Sequence, residues 1–157
     1  MPVILADTTV LNNFAQIGRP DLLQKAFPGL AAPREVRMEL SEGERLGLVP
    51  AADWSWLETL DLEDRESDRA AELRRHLQDG EAACLAMVES RGGMVLTDDG
   101  AARRFAAKLS IEVSGTLGVL ARLLHHEVLT LVQGDAFLAQ MMARGYRCPI
   151  RSLRELT

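Results

Sequence analysis

Asp7 follows the apolar run Val3 to Ala6, and Asp98 and Asp99 follow the run Met94 to Thr97. Glu81 opens an apolar, helix-like stretch directly after Asp79-Gly80, and Glu39 lies inside another such stretch begun at Pro33. Carboxylates gathered within a few Å raise one another's pKa, and a divalent cation relieves that conflict. Mg²⁺ and Mn²⁺ prefer hard oxygen ligands, and Mg²⁺ takes one or two carboxylates together with waters and phosphate oxygens. A cation so held polarises a phosphodiester and lowers the pKa of a bound water; a second ion about 3.5–4 Å away stabilises the leaving oxygen.

Taken singly, each acid has a plainer reading. Asp7 and Glu81 are residue types favoured at helix N-termini by capping and the helix dipole, and Asp98 or Asp99 would serve equally well as a cap for the helix that follows. Glu39 at helical spacing reads as a solvated surface residue. The chemistry therefore depends on whether the fold brings them together.

The order of elements says that it should. Val3 to Asp7 reads as a short buried strand, and Val10, Phe14 and Ile17 then recur at helical spacing before Gly18. A second short helix begins at Pro20-Asp21 and stops at Pro28-Gly29; Leu30 to Ala32 reads as a brief strand, with Pro33 as first residue of the next helix. Gly43 to Asp53 reads as loop, and the segment WSWLETLDL contains a strand with Trp54, Trp56, Glu58 and Leu60 on one face. A charged, exposed helix closes at Asp79-Gly80, an apolar helix runs from Glu81 to Gly92-Gly93, and Met94 to Thr97 forms another buried strand. Helix, strand (Ile111 to Ser114), helix and a last helix from about Gln133 to Arg144 complete the chain. This alternation predicts a three-layer α/β/α fold on a mostly parallel sheet of four or five strands, with the helices on both faces. Residues 1–157 form a single domain in this reading, with 133–157 as its C-terminal helix and tail. Ligands of such sheets bind beyond the carboxyl ends of the strands, where Asp7, Asp98 and Asp99 all fall.

Composition narrows the function classes. The chain has 157 residues, 47% of them hydrophobic, enough for one core. Its 23 acidic and 18 basic residues leave a net charge of −5, so bulk charge does not draw it to nucleic acid. A local basic rim is compatible with that balance: Arg103, Arg104 and Lys108 near the acids, and Arg144, Arg147, Arg151 and Arg154 in the tail. No basic leader precedes the first apolar stretch and no apolar run approaches membrane-spanning length, so a soluble cytoplasmic protein without a membrane partner is expected. Cys84 and Cys148 lack zinc-site or disulfide spacing. His125 and His126, about 100° apart on a helix, are poorly placed to share one metal, and His76 sits among arginines as a surface residue.

The segments VILADTTVLNNFAQIG, PREVRMEL, GEAACLAMVESRGGMVLTDDGAARRFA and SGTLGVLARL together resemble the PIN-domain ribonucleases, in particular a subgroup with GE-x-x-A before the last acidic strand and GTLGVL after it. The resemblance extends to the tail GYRCPIRSLREL. In such sequences the acid opening a helix and the acid of the following T-x-D segment lie about eighteen residues apart, as Glu81 and Asp99 do. The resemblance implies that Asp7, Glu39, Glu81 and Asp99 form the catalytic set. Asp7, Asp99, Asp98 and Glu81 would be the metal ligands, and Thr8, Thr9 and Thr97 their supports. Glu81 stands where many relatives have an aspartate, so direct and water-mediated metal contact both remain open for it. It further implies Mg²⁺ or Mn²⁺ as cofactor, RNA as substrate with Arg103 and Arg104 contacting it, and a VapC-like toxin of a type II toxin–antitoxin system, homodimeric and paired with a small antitoxin protein.

Two other classes compete. A PIN-like module that only binds RNA or protein would lack one of the acids, whereas all four positions here are acidic. A haloacid-dehalogenase-type phosphatase needs a second aspartate two residues after the first, and Thr9 stands there. A receiver domain fits less well, since no lysine ends a late strand.

Overall fold

The computed structural model describes residues 2–156. Five strands form one all-parallel sheet in the order β3-β2-β1-β4-β5. They are β1 (Val3–Ala6), β2 (Ala31–Pro33), β3 (Glu58–Leu60), β4 (Gly93–Leu96) and β5 (Glu112–Ser114). Between and after them come α1 (Thr8–Gln16), α2 (Asp21–Ala26), α3 (Arg34–Arg45), α4 (Asp64–Leu73), α5 (Asp79–Arg91), α6 (Gly100–Lys108), α7 (Thr116–His125) and α8 (Leu131–Ala143), with a final 3₁₀ turn at Leu153–Leu156. The chain steps outward from β1 through β2 to β3, then returns across the sheet to β4 and on to β5. The switch in direction falls between β1 and β4, where Ala6 pairs with Leu96. Asp7 and Thr97 leave the sheet side by side at that point, the place where doubly wound sheets open a crevice.

The buried core explains why these segments pair. Leu5, Ala6, Val95 and Leu96 are essentially inaccessible, as parallel strands covered on both faces should be. Helix α5 is buried continuously from Ala82 to Val88 and packs on β1, β2 and β4. Its Ala82, Ala83 and Ala86 are small, and an apolar circumference of this kind belongs to a helix enclosed by other elements. Helices α3, α4 and α6 pack around it, while α7 and α8 pack on each other, α7 also against α2 and α8 also against α1.

Several boundaries differ from the sequence reading. Asp79-Gly80 does not close the charged helix: α4 ends at Leu73, and Asp79 is the first residue of α5 behind Gln78 as its cap. A capping box, Gln78 with Glu81, outweighs the usual helix-stopping tendency of glycine. Helix α4 is also less exposed than its charge suggests, because Glu66, Ala70 and Leu73 face inward. Pro33 ends β2 and caps α3 in an extended conformation instead of entering the helix, and Gly43 lies within α3 rather than in the loop after it. Only Glu58–Leu60 of the tryptophan segment is strand; Trp54 packs inward at 6% exposure, its ring 5.9 Å from that of half-buried Trp56. The last long helix starts at Leu131, behind a Thr130–Gln133 capping box. Gly118 lets α7 approach the end of β5 closely, since a Cβ there would meet the Ser114 hydroxyl.

Candidate active site

Asp7 is held at the end of β1 by the helix it starts. Its Oδ1 accepts from the Thr9 amide at 3.0 Å, the Val10 amide at 3.4 Å and the Thr9 hydroxyl at 2.6 Å. Its Oδ2 accepts from the Thr97 hydroxyl across the β1–β4 boundary. The capping reading of Asp7 is therefore met, and its donors fix the carboxylate without supplying any cation. At 1% exposure, burial pushes its pKa up to about 6, although the hydrogen bonds pull the other way and the Asp98 charge adds to the rise.

Glu39 arrives from α3 half-buried, with its Oε1 accepting from the Thr8 hydroxyl at 3.0 Å. Burial raises its pKa, against the bonds from Thr8 and from the Gly80 amide. The approach of α5 to this carboxylate requires Gly80, where a Cβ would collide with Glu39 Oε1. Glu81 is the third residue of α5, and its Oε1 accepts from the Gln78 amide at 3.3 Å. Its Oε2 is buried and meets no donor.

Asp99 caps α6 through Oδ2, which accepts from the Ala102 amide at 2.9 Å. It lies against Glu81 closely enough for the two carboxyls to share a proton. Burial first, then the Asp99 contact and charge, push Glu81 up to about 8, whereas Asp99 is held below the usual carboxylate range mainly by that same contact. The two carboxyls thus titrate as a pair, with Glu81 the member driven toward its neutral form and Asp99 toward its charged one.

Asp7, Thr8, Thr9, Glu39, Gln78, Glu81 and Asp99 line one cavity of about 160 Å³. Four elements converge there, and all four acids of the expected catalytic set face it. Asp98 does not. Its Oδ1 accepts from the Thr116 amide at 2.9 Å, and its Oδ2 from Asn13 Nδ2 at 3.1 Å and from the Thr116 hydroxyl. It belongs to the adjoining cavity, and it tethers the start of α7 to α1. Thr97 and Thr9 hold this loop together: the Asp98 amide donates to Thr9 Oγ1 at 2.9 Å and the Asp99 amide to Thr97 Oγ1 at 3.1 Å. Thr8 thus bonds to Glu39, and Thr9 and Thr97 to Asp7.

An all-oxygen donor set with one buried, donor-less carboxylate oxygen suits a hard divalent cation, which would take the place of the proton shared by Glu81 and Asp99. Among the described residues no three His, Cys, Asp or Glu groups are spaced to grip one ion as they stand.

Arg103 and Arg104 are exposed on α6; Arg103 donates to the Thr97 carbonyl at 2.7 Å, and the Arg104 charge helps lower Asp99. Sequence reasoning passed over Gln78, Asn13 and Thr116. Asn13 had a readable signal, since it shares the apolar face of Val10, Phe14 and Ile17 and is only 8% exposed. Thr116 had none. Gly115 is required at the edge of this loop, since a Cβ there would collide with Asp98 and Arg103.

No helix among the described residues is long and apolar enough to cross a membrane. A family model described as PIN domain matches residues 3–157. Among solved structures the chain is similar to PAE2754 from Pyrobaculum aerophilum, at 21% identity and a TM-score of 0.54, over 78% of this chain and 89% of that one. That likeness is one of fold. No curated protein sequence matches the chain. With the family model matched along nearly its whole length, and with the parallel sheet and acidic crevice described above, the chain belongs to the PIN-domain family, whose fold is of nuclease type.

Proposed function

We propose that this chain is a metal-dependent endoribonuclease in which Asp7, Glu39, Glu81 and Asp99 hold Mg²⁺ or Mn²⁺, directly or through water, and that residues 1–157 act as one catalytic domain. The observation that carries this reading is the convergence of those four acids, from the end of β1, α3, the start of α5 and the end of β4, on one cavity at the switch point of the sheet. When bound, the cation supplies polarisation of the phosphodiester and an acidified water. The protein's own part is positional. Thr9 and Thr97 lock Asp7, Thr8 aims Glu39, and Glu81 keeps a proton that it releases when the site is loaded. Arg103 and Arg104 stand on the adjacent helix to meet the phosphates of the RNA. Calorimetric titration of Mn²⁺ into wild type and Asp7→Asn, followed by RNA cleavage with and without EDTA, tests the reading. Binding and cleavage by wild type alone support it, and retained metal-dependent cleavage by folded Asp7→Asn overturns it.

The cellular role we propose is that of a toxin in a type II toxin–antitoxin system, acting as a homodimer restrained by a small antitoxin protein. Support comes from the likeness of the GE-x-x-A and GTLGVL segments to that subgroup. Expression alone should arrest growth, and co-expression with the small regulator of a neighbouring reading frame should relieve the arrest. A second reading, an inactive module that binds RNA or protein, draws on the closed Glu81–Asp99 contact. It predicts no Mn²⁺ binding with or without RNA.

A further inference from the structure

Past the Asp98–Asp99 pair the same edge of the sheet opens into a second cavity, of about 480 Å³, lined by Asp98, Arg103, Ser114, Gly115, Tyr146 and Arg147 among others. Consecutive residues divide the two spaces: Asp99 lines the acidic cavity and Asp98 this one. We propose that this second cavity is a nucleotide subsite, seating one unit of a single-stranded RNA beside the scissile phosphate, with Arg103 and Arg147 on its phosphate and Tyr146 against its base. The proposal rests on the ribonuclease reading and names where the strand runs.

Several features carry it. The chain has a net charge of −5, yet this wall presents two guanidiniums, and neither forms an ion pair with a carboxylate among the described residues. Arginine's planar fork suits phosphate oxygens in a way that the compact charge of lysine does not. Asp98, the one acid in the wall, has its charge met from inside the protein by Asn13 and Thr116, so it does not consume the arginines. Arg103 is also anchored: its bond to the Thr97 carbonyl pins the guanidinium at the end of β4, one residue from Asp98 and two from Asp99.

The aromatic partner is Tyr146, the only tyrosine of the chain, half-buried behind α8. Burial and the nearby Asp98 charge keep its hydroxyl protonated, leaving a neutral ring against which a base can stack. Gly115 keeps the mouth open, because any side chain there would strike Asp98 and Arg103. The volume lies within the roughly 300–1,000 Å³ of small-molecule sites, room enough for a nucleotide unit. A cavity of about 770 Å³ between α7, α8 and the 3₁₀ turn lacks this combination, being walled mainly by leucines.

The test is binding of a fluorescein-labelled single-stranded RNA of about twelve mixed-sequence nucleotides, within the usual range of such sites. Anisotropy is followed in EDTA over a series of salt concentrations, with the full chain. Arg147→Ala, on an exposed residue, should weaken binding about tenfold and reduce the slope of log Kd against log salt by about one. Tyr146→Ala should weaken binding at least about fivefold with the slope unchanged. Photo-cross-linking of 5-bromouridine RNA to wild type, which needs no variant to fold, should map to the peptide containing Tyr146. Absence of binding by wild type, wild-type affinity in both variants, or cross-links confined to another surface would each overturn the proposal. Cleavage with cross-links elsewhere sinks the subsite alone, and cross-links at Tyr146 without metal-dependent cleavage sink the hydrolase alone.

Discussion

Glu66 and Glu81 occupy the same position in successive helices. Each is the third residue of its helix, and each reaches back to the amide of the capping residue, at 2.7 Å for Glu63 and 3.3 Å for Gln78. Their environments then diverge. Both oxygens of Glu66 meet Arg91, at 2.8 Å each, and the guanidinium holds its carboxyl below the usual range. Glu81 meets no cation, faces Asp99, and is pushed up to about 8. One capping motif thus makes a joint between α4 and the end of α5 in the first case, and a strained carboxylate poised over a cavity in the second. A buried acid given a cation by the fold contributes structure, whereas one denied a cation and faced by another carboxylate keeps a raised pKa.

The sharpest way to break this contrast is at Asp7. Asp7→Asn should cut RNA cleavage by at least about 10³-fold, since metal polarisation is worth several kcal/mol, while the far-UV circular dichroism stays that of wild type. Next in size, Glu66→Ala should leave Mn²⁺ affinity unchanged but cost about 3 kcal/mol, because it strands Arg91 in a largely buried place, and lower Tm by about 6–12 °C in a thermal melt.

The pH dependence of stability should have opposite signs at the two glutamates. Glu66 has a lowered folded-state pKa, so its contribution is present above the unfolded value and disappears as pH falls through the folded one. Glu81 has a raised pKa, so the folded state holds an extra proton between the ordinary glutamate range and about pH 8, and stability falls as pH rises through that window. Glu81→Gln keeps the neutral form permanently; its metal-free Tm should exceed that of wild type by a few degrees at pH 8–9 and match it near pH 4. A wild-type-like melt at both pH values would erase the distinction drawn here. The smallest effect is proton release: Mn²⁺ binding near pH 7 should release up to about one proton, read by calorimetry in buffers of different ionisation enthalpy, and its affinity should rise between pH 6 and 8.

Much of this was legible in the chain. Alternating apolar runs and helical spacings are local properties, so a mostly parallel sheet of four or five strands follows from residue order, with Asp7, Asp98 and Asp99 at one of its edges; Glu39, inside a helix, joined that set only through the family resemblance. Where local signals compete, the reading went astray. Asp79-Gly80 carries helix-stopping residues, yet it starts a helix, because Gly80 is demanded by the approach of Glu39 from another element. The charge of α4 reads as solvated, yet Glu66 turns inward to an arginine twenty-five residues away.

Residue order by itself determined which acids stand at strand ends and helix starts, and so which of them share one edge of the sheet. Only the tertiary structure decided between Asp98 and Asp99. Both follow the same strand, but Asn13 and Thr116 draw the first toward α1 and α7, leaving the second against Glu81. Hydrogen-bond partners 85 and 18 residues away leave no trace in local spacing, and they are what turns one carboxylate into a structural tether and its neighbour into a wall of the acidic cavity.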